Sequence, residues 1–422
     1  MPSMVRKVLI AGGGIGGLAA ALACGRAGCG VTLMERAVAF GEAGVGIQLG
    51  PNVTRVLSAW GLSEAMEAVA AYPPCLEVRD AVAGRELGRL RLGETARMRY
   101  GAAYATLHRA DLHQLLLDAV RQQTAAQILV GCAVTGFTQS AHTVTVHTSH
   151  GQSIDGDGLL GADGLWSAVR ALFLRDGPPR ATGHLAYRAL VRQTALPAQL
   201  RSLHITAWLG PDLHVVQYPV RAGEWLNVVG IVHDGAKHLK DDALKVDGRP
   251  APDASGWDCQ TSAAELRGAL VGMCAPLQEL VGAIDQWRCW TVCDRLPVPG
   301  ASALSQGRVA LLGDAAHPMR PYLAQGAGMA IEDAMDLGRV LAGGSPPVDA
   351  AFRAYAALRW QRDAMVQRRA MRNGRIFHAR GLLRWGRDVS LRVLGERLLD
   401  MPWLYRDRPL GARTLRATGE TP

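Results

Sequence analysis

Val8-Leu9-Ile10-Ala11-Gly12-Gly13-Gly14-Ile15-Gly16-Gly17-Leu18-Ala19-Ala20-Ala21-Leu22-Ala23-Cys24 is an uncharged run directly behind Arg6 and Lys7. A basic start before an apolar stretch is the pattern of a signal peptide or a membrane span. Here the glycines break it into a strand-like Val8–Ala11, a turn, and a helix-like Leu18–Cys24. A second strand, Val31-Thr32-Leu33-Met34, follows and ends at Glu35. Gly12, Gly14 and Gly17 keep the G-x-G-x-x-G spacing between strand and helix. The first permits a tight turn, the second lets the backbone approach a pyrophosphate, and the third lets helix and strand pack closely. Phosphates at such a helix N-terminus meet orphan N–H groups and the positive dipole end. Glu35, some twenty residues on, is placed to accept hydrogen bonds from ribose hydroxyls. The order strand, glycines, helix, strand, acid predicts a dinucleotide-binding βαβ unit. Arg36 is counted with its cofactor-binding residues, as a cation that a 2′-phosphate would use.

At 422 residues the chain exceeds the size of a usual single core, so two domains or one elaborated domain are expected. With 49% hydrophobic and 20% charged residues it can bury enough apolar surface to fold. No further stretch is apolar for long enough to span a bilayer. Eight cysteines are scattered without a CxxC pair or a His/Cys cluster at ligand spacing, which points to a reducing cytoplasm and no metal. Cys289 and Cys293, four apart, are read as a pair that could share a helix face. The net charge of +9 looks like a nucleic-acid signal until it is located, because residues 351 to 422 hold 16 Arg, no Lys and only 6 acids. The body before them is close to neutral. Arg368, Arg369, Arg372 and Arg375 fall at helical spacing, and Phe352, Tyr355, Val366, Leu382, Leu383 and Trp385 offer apolar faces. The reading is a docked, solvated helical cap over 346–422. Contact with an anionic membrane or a partner is the sharper alternative, not favoured. Nucleic acid is not expected, since no interleaved aromatic platform or named DNA-binding motif accompanies the arginines.

Further along, Gly307-Arg308-Val309-Ala310-Leu311-Leu312-Gly313-Asp314 reads as a buried strand ending in an acid. After a turn through His317 and Pro318, Gln325-Gly326-Ala327-Gly328 opens a helix expected from about Met329 to Leu341. The stretch GDAAHPMRPYLAQGAGMAIEDA resembles the second flavin motif of the single-component FAD-dependent aromatic hydroxylases, of salicylate and 3-hydroxybenzoate hydroxylase type. Gly161-Ala162-Asp163-Gly164-Leu165-Trp166-Ser167-Ala168-Val169-Arg170 resembles their middle motif. His108–Leu112 (HRADL) and Gly44–Asn52 (GVGIQLGPN) add to it, so the resemblance covers most of residues 5 to 345.

That resemblance implies an α/β fold: a Rossmann-like FAD-binding domain with an inserted antiparallel-sheet substrate domain and a C-terminal helical segment, similar to para-hydroxybenzoate hydroxylase. The boundaries expected are 1–70, 101–182 and 286–345 for the FAD part, 71–100 and 183–285 for the substrate part. FAD would be the cofactor and NADH or NADPH the transient donor, with Arg109 and Gly14 flanking the pyrophosphate. Glu35 would hold the adenosine ribose, Asp314 the ribityl chain, and Gly326–Gly328 the pyrimidine edge. Asp163 and Gln325 would complete the cofactor set. His317, before proline in a turn, is given no catalytic role.

Leu213–Val220, a turn at Arg221–Gly223 and Trp225–Ile231 alternate as an antiparallel hairpin, with His214, Val216 and Tyr218 on one face. In the family this hairpin floors the substrate pocket, which makes His214 the expected phenol base and Tyr218 its aligning partner. Gln48, Pro321 and Tyr322 should line the same pocket. The activity implied is hydroxylation of a small phenolic aromatic acid with O2, through a flavin C4a-hydroperoxide. A membrane-associated quinone-precursor hydroxylase or epoxidase stands as the alternative, and a non-catalytic flavin-binding regulator as the alternative of another class. Oligomeric state, monomer or homodimer, is left open.

Overall fold

The structure is a computed structural model that describes residues 6–41, 45–233, 245–246, 249–250, 258–343 and 346–406. Gly44 of the GVGIQLGPN stretch and the last part of the basic tail lie outside them. Lys7–Ala11 and Gly30–Met34 form the two predicted strands, and the helix between them runs Ile15–Arg26, three residues further towards the glycines than the apolar pattern alone suggested. They belong to a six-stranded sheet in the order Ser305–Gln306, Val309–Leu311, Gly158–Gly161, Lys7–Ala11, Gly30–Met34, Gln127–Leu129. All its pairings are parallel except that of Ser305–Gln306. A parallel sheet needs cover on both faces, and the unbroken apolar run Val8-Leu9-Ile10 supplies it. Val8 and Ile10 pack with the Ile15–Arg26 helix, while Leu9 packs with Val144 and Val146 of a small three-stranded sheet.

The second layer is an eight-stranded sheet. Its order is Asp258–Ser262, Gln286–Asp294, Arg180–Arg192, Trp225–His233, Leu213–Val220, Ile205–Gly210, Cys75–Asp80, Glu86–Arg91. Only Ile205–Gly210 and Cys75–Asp80 run parallel to each other. One end of the boundary scheme needs correction. Gln286–Asp294, expected in the FAD part, pairs with both Arg180–Arg192 and Asp258–Ser262 and continues the large sheet. Local alternation predicts a strand there, but only its partners decide the sheet. The same strand carries Cys289 and Cys293, so they share no helix.

The described part of the basic segment is helical and packs into the body of the protein. Val348–Phe377 is a helix of 30 residues, about 45 Å long at 1.5 Å per residue. It buries Phe352, Tyr355, Arg359 and Val366, and Tyr355 donates a 3.0 Å hydrogen bond to the Leu311 carbonyl. Gly381–Leu394 follows and lies against the outer strand Glu86–Arg91. Leu382, Leu383 and Trp385, expected on an apolar face, are exposed instead. Among the described residues no helix is long and apolar enough to cross a membrane.

Candidate active site

The glycine turn is built as its spacing required. Gly12 has φ +101°, and a side chain at Gly17 would collide with the Gly12 carbonyl. A Cβ on Gly14, by contrast, would meet no protein atom within 4 Å, so the turn is open on the side a ligand would take. No side chain caps the Ile15–Arg26 helix, which leaves its first N–H groups for that ligand. Glu35 braces the turn: its carboxylate accepts from Gly13 N–H at 2.7 Å and from Ala37 N–H at 2.8 Å. Sequence reading missed His113, a buried residue whose Nε2 lies 2.8 Å from the Gly13 carbonyl and which fixes the turn from the other side. Arg36 is exposed. Arg109 opens the Arg109–Gln123 helix, its N–H donating to the Val45 carbonyl at 2.7 Å.

The second helix start stands opposite. Gly326–Ala342 begins three residues before the expected Met329, again without a side-chain cap, so the N–H groups of Gly326, Ala327 and Gly328 have no partner within the helix. Gln325 precedes it, buried, with Asn52 Nδ2 donating to its Oε1 at 3.1 Å. Asn52, from the GPN end of the GVGIQLGPN stretch, therefore sets the entry to this helix. Asp314 is exposed and has no hydrogen-bond partner among the described residues, although its neighbours Gly313 and Ala315 are buried. Its Oδ1 is 3.8 Å from where a Cβ on Gly326 would stand. Two uncapped helix ends, an open glycine and two carboxylates fit the phosphates, polyols and pyrimidine edge of FAD. Asp163 is otherwise engaged: it accepts from Ser167 and from Val169 N–H, and burial raises its pKa. Arg170 ties this middle motif to the Asp314 turn, donating to the Ala315 and Ala316 carbonyls at 2.9 and 2.6 Å.

Beneath that turn lies a buried charge network. Arg359 reaches Asp333 at 2.7 Å, Glu332 at 2.9 Å, Asp363 at 3.0 Å and Asp336 at 3.2 Å. His317 Nε2 sits 2.6 Å from Asp333, and Gly313 N–H donates to the same carboxylate at 3.1 Å. The pKa of His317 is raised to about 9: the buried carboxylates of Asp363 and Asp333 overcome the desolvation that would lower it. His317, Asp333 and Asp363 lie close enough to hold an ion, as do Cys75, Glu77 and His204, but arginine already neutralises both groups.

Next to the Gln325 helix start is a cavity of about 550 Å³. Gln48, His214, Pro321 and Tyr322 all line it, as the sequence reading expected. Tyr218 does not. It lies on the predicted face of Leu213–Val220 but further along, buried with its ring against Gly46, and Tyr104 takes the place expected of it. The Tyr104 hydroxyl donates to Gln48 Oε1 at 2.7 Å. The Tyr322 hydroxyl is buried and has no hydrogen-bond partner among the described residues.

His214 differs from expectation in its chemistry. Burial, with His184 nearby, pushes its pKa down to about 3, so it is a neutral imidazole and a poor base. Its Nδ1 lies 2.8 Å from His378 Nε2, two neutral rings sharing one proton. Desolvation likewise holds His378 at about 2 and His184 at about 4. No local pattern could have announced this group, since its members come from two strands and the end of the long helix.

The chain is similar to known proteins over nearly its whole length. Residues 6–345 match the family described as FAD binding domain. A 3-hydroxybenzoate 6-hydroxylase of Polaromonas naphthalenivorans (strain CJ2) is 38% identical over 94% of this chain and 95% of its own. Among solved structures, a salicylate hydroxylase substrate complex superposes with a TM-score of 0.78 at 26% identity, covering 95% of both chains. Klebsiella pneumoniae HpxO complexed with FAD and uric acid gives a TM-score of 0.79 at 27% identity, covering 93% of this chain and 94% of that one.

Proposed function

We propose that this chain, which belongs to the FAD-binding-domain family and is an FAD-dependent, NAD(P)H-using aromatic hydroxylase, acts on a monohydroxybenzoate of the salicylate or 3-hydroxybenzoate kind. One observation carries the substrate reading: an apolar cavity beside the Gly326 helix end holds a cluster of neutral polar groups, Gln48 with Tyr104, His214 and the unpartnered Tyr322 hydroxyl. The similarity to hydroxylases of both benzoates supports it.

Bound FAD supplies the redox and oxygen chemistry. The protein's share is to hold, orient and keep dry. Glu35 would hold the adenosine ribose, the N–H groups after Gly14 together with Arg109 the pyrophosphate, and Asp314 the ribityl chain. The first N–H groups of Gly326–Ala342 would hold the pyrimidine edge, where the positive helix end favours negative charge. In the cavity, Tyr322 and His214 meet the substrate hydroxyl as hydrogen-bond partners, and the wall formed by Leu76, Val78 and Ile205 excludes water.

The test is to supply the FAD-loaded protein with NADH or NADPH and O2, offer salicylate or 3-hydroxybenzoate, and identify products. Stimulated oxidation of the donor with an added ring hydroxyl is expected. A protein whose NAD(P)H consumption ignores both acids, as a flavin-binding regulator would, defeats the proposal.

A further inference from the structure

The arginines of the Val348–Phe377 helix differ in what they meet. Arg353, Arg359 and Arg362 each have carboxylate partners. Arg369 and Arg372, one turn apart, have none among the described residues, and both line the cavity together with Asn373 and Ser390. Arg369 is half-buried, and its Nε is shut off from solvent without a hydrogen-bond acceptor. Burial, with Arg372 nearby, lowers its pKa. A third cavity arginine, Arg387, behaves differently: Asp388 lies 2.8 Å from it, and it donates to the Ile376 and Phe377 carbonyls at 3.1 and 2.7 Å. A desolvated guanidinium donor without an acceptor is costly. The cavity thus carries an uncompensated positive charge on one wall.

We propose that Arg369, assisted by Arg372, is the carboxylate subsite of the cavity, so that the aromatic acid lies with its carboxylate on the long helix and its hydroxyl towards Tyr322 and His214. This rests on the hydroxybenzoate reading and adds the residues that make the pocket selective for an acid. Gly374, on the same helix, is the point where it touches the Tyr322 ring, a Cβ there coming within 2.6 Å of it. Asn373 fixes that contact by donating to the Tyr322 carbonyl at 3.1 Å. Arg369, Arg372, Tyr322 and His214 therefore line one cavity, which offers an anion site and a ring-hydroxyl site to the same ligand. Charge-assisted bonds from a guanidinium to a carboxylate are about twice as strong as neutral ones, and the fork geometry favours the planar carboxylate over a carboxamide.

The experiment titrates the FAD-loaded protein with salicylate, 3-hydroxybenzoate and their neutral carboxamides, following the flavin absorbance change on binding. Wild type should prefer each acid over its amide. Arg369→Met should weaken acid binding at least tenfold while leaving amide binding within about twofold, and Arg369→Lys should recover part of the loss. Arg372→Met, at a more exposed position, should show a smaller loss confined to the acids, which keeps the test open if Arg369→Met fails to fold. Equal weakening of acid and amide, or unchanged acid binding in both Met variants, overturns the assignment while leaving the hydroxybenzoate reading intact. A wild type whose flavin responds to none of the four probes overturns both.

Discussion

Replacing His214 by asparagine and, separately, by leucine distinguishes a base from a hydrogen-bond partner. The imidazole has its pKa pushed down to about 3, whereas a phenol lies near ~10. Moving a proton from the phenol to an imidazole held so far down is uphill by several units, or several kcal/mol at about 1.36 kcal/mol per unit. That penalty exceeds anything a general base normally contributes, which is about 10² to 10⁴ in rate. A hydrogen bond to the substrate oxygen is instead worth about 0.5 to 1.5 kcal/mol, or up to ~3 when the partner is charged. His214→Asn, which keeps a polar group, should then hold the ratio of hydroxylated product to NAD(P)H consumed within about tenfold of wild type. His214→Leu should lose more, because it also strands the His378 ring that lies 2.8 Å away. The assay is that ratio, with turnover, from pH 6 to 9. A wild-type profile with an ionisation near 6.5 that disappears in His214→Asn, or a loss beyond a hundredfold in the Asn variant at every pH, would refute the argument.

Asp314→Ala should weaken FAD retention by about 10- to 150-fold, since it removes a charged acceptor worth about 1.5 to 3 kcal/mol; the flavin-to-protein ratio after gel filtration checks it, and an unchanged ratio speaks against the assigned role. Arg359→Met leaves Glu332, Asp333, Asp336 and Asp363 buried around an apolar side chain. Breaking such a network costs about 3 to 5 kcal/mol, so soluble yield should collapse or Tm fall by many degrees, and a Tm within two degrees of wild type would count against it. Acid should be destabilising for a specific reason. His184, His214 and His378 sit at about 4, 3 and 2 in the folded protein against ~6.5 unfolded. Below that value the unfolded chain binds protons the fold refuses, and stability drops as pH falls from about 6.5 towards 4. His184→Phe should make the decline shallower by about 1.4 kcal/mol per pH unit, and an identical slope would dispose of the histidine explanation. His317 acts in the opposite sense, its contribution being full below about 6.5 and lost as pH rises through about 9.

The nucleotide half of the fold was legible because its requirements are local. Gly12, Gly14, Gly17 and Glu35 lie within two turns and two strands of one another, and each answers to a steric or hydrogen-bonding need that spacing alone expresses. Asp314 and Gln325–Gly328 were visible for the same reason. The pocket was half legible. Period 2 placed His214 on the right face, but no periodicity tells how far along a strand the cavity ends, and Tyr218 fell beyond it. Nor can a sequence show that His214 is wholly buried, with His378 against its ring and His184 nearby, a burial that decides its protonation. The arginine-rich segment was the least legible part. Arg359 and Arg362 meet acids about thirty residues earlier, Arg384 meets Asp80 and Glu396 meets Arg99, partners some 300 positions apart. Counted along the chain they look like a solvated cationic face; in space many are spent on internal pairs.

The Val348–Phe377 helix serves two masters with opposite demands on its sequence. Its first half is bound by Phe352, Tyr355 and Arg359 to the layers under the cofactor, where almost any exchange would strand a charge or open a hole. Its second half presents Arg369, Arg372, Ile376 and Phe377 to the cavity. A rigid rod anchored at one end can be rewritten at the other without moving the anchor. A change of preferred aromatic acid would then be written within a few turns at the end of this helix, and a library confined to those positions is a small space in which to look for it.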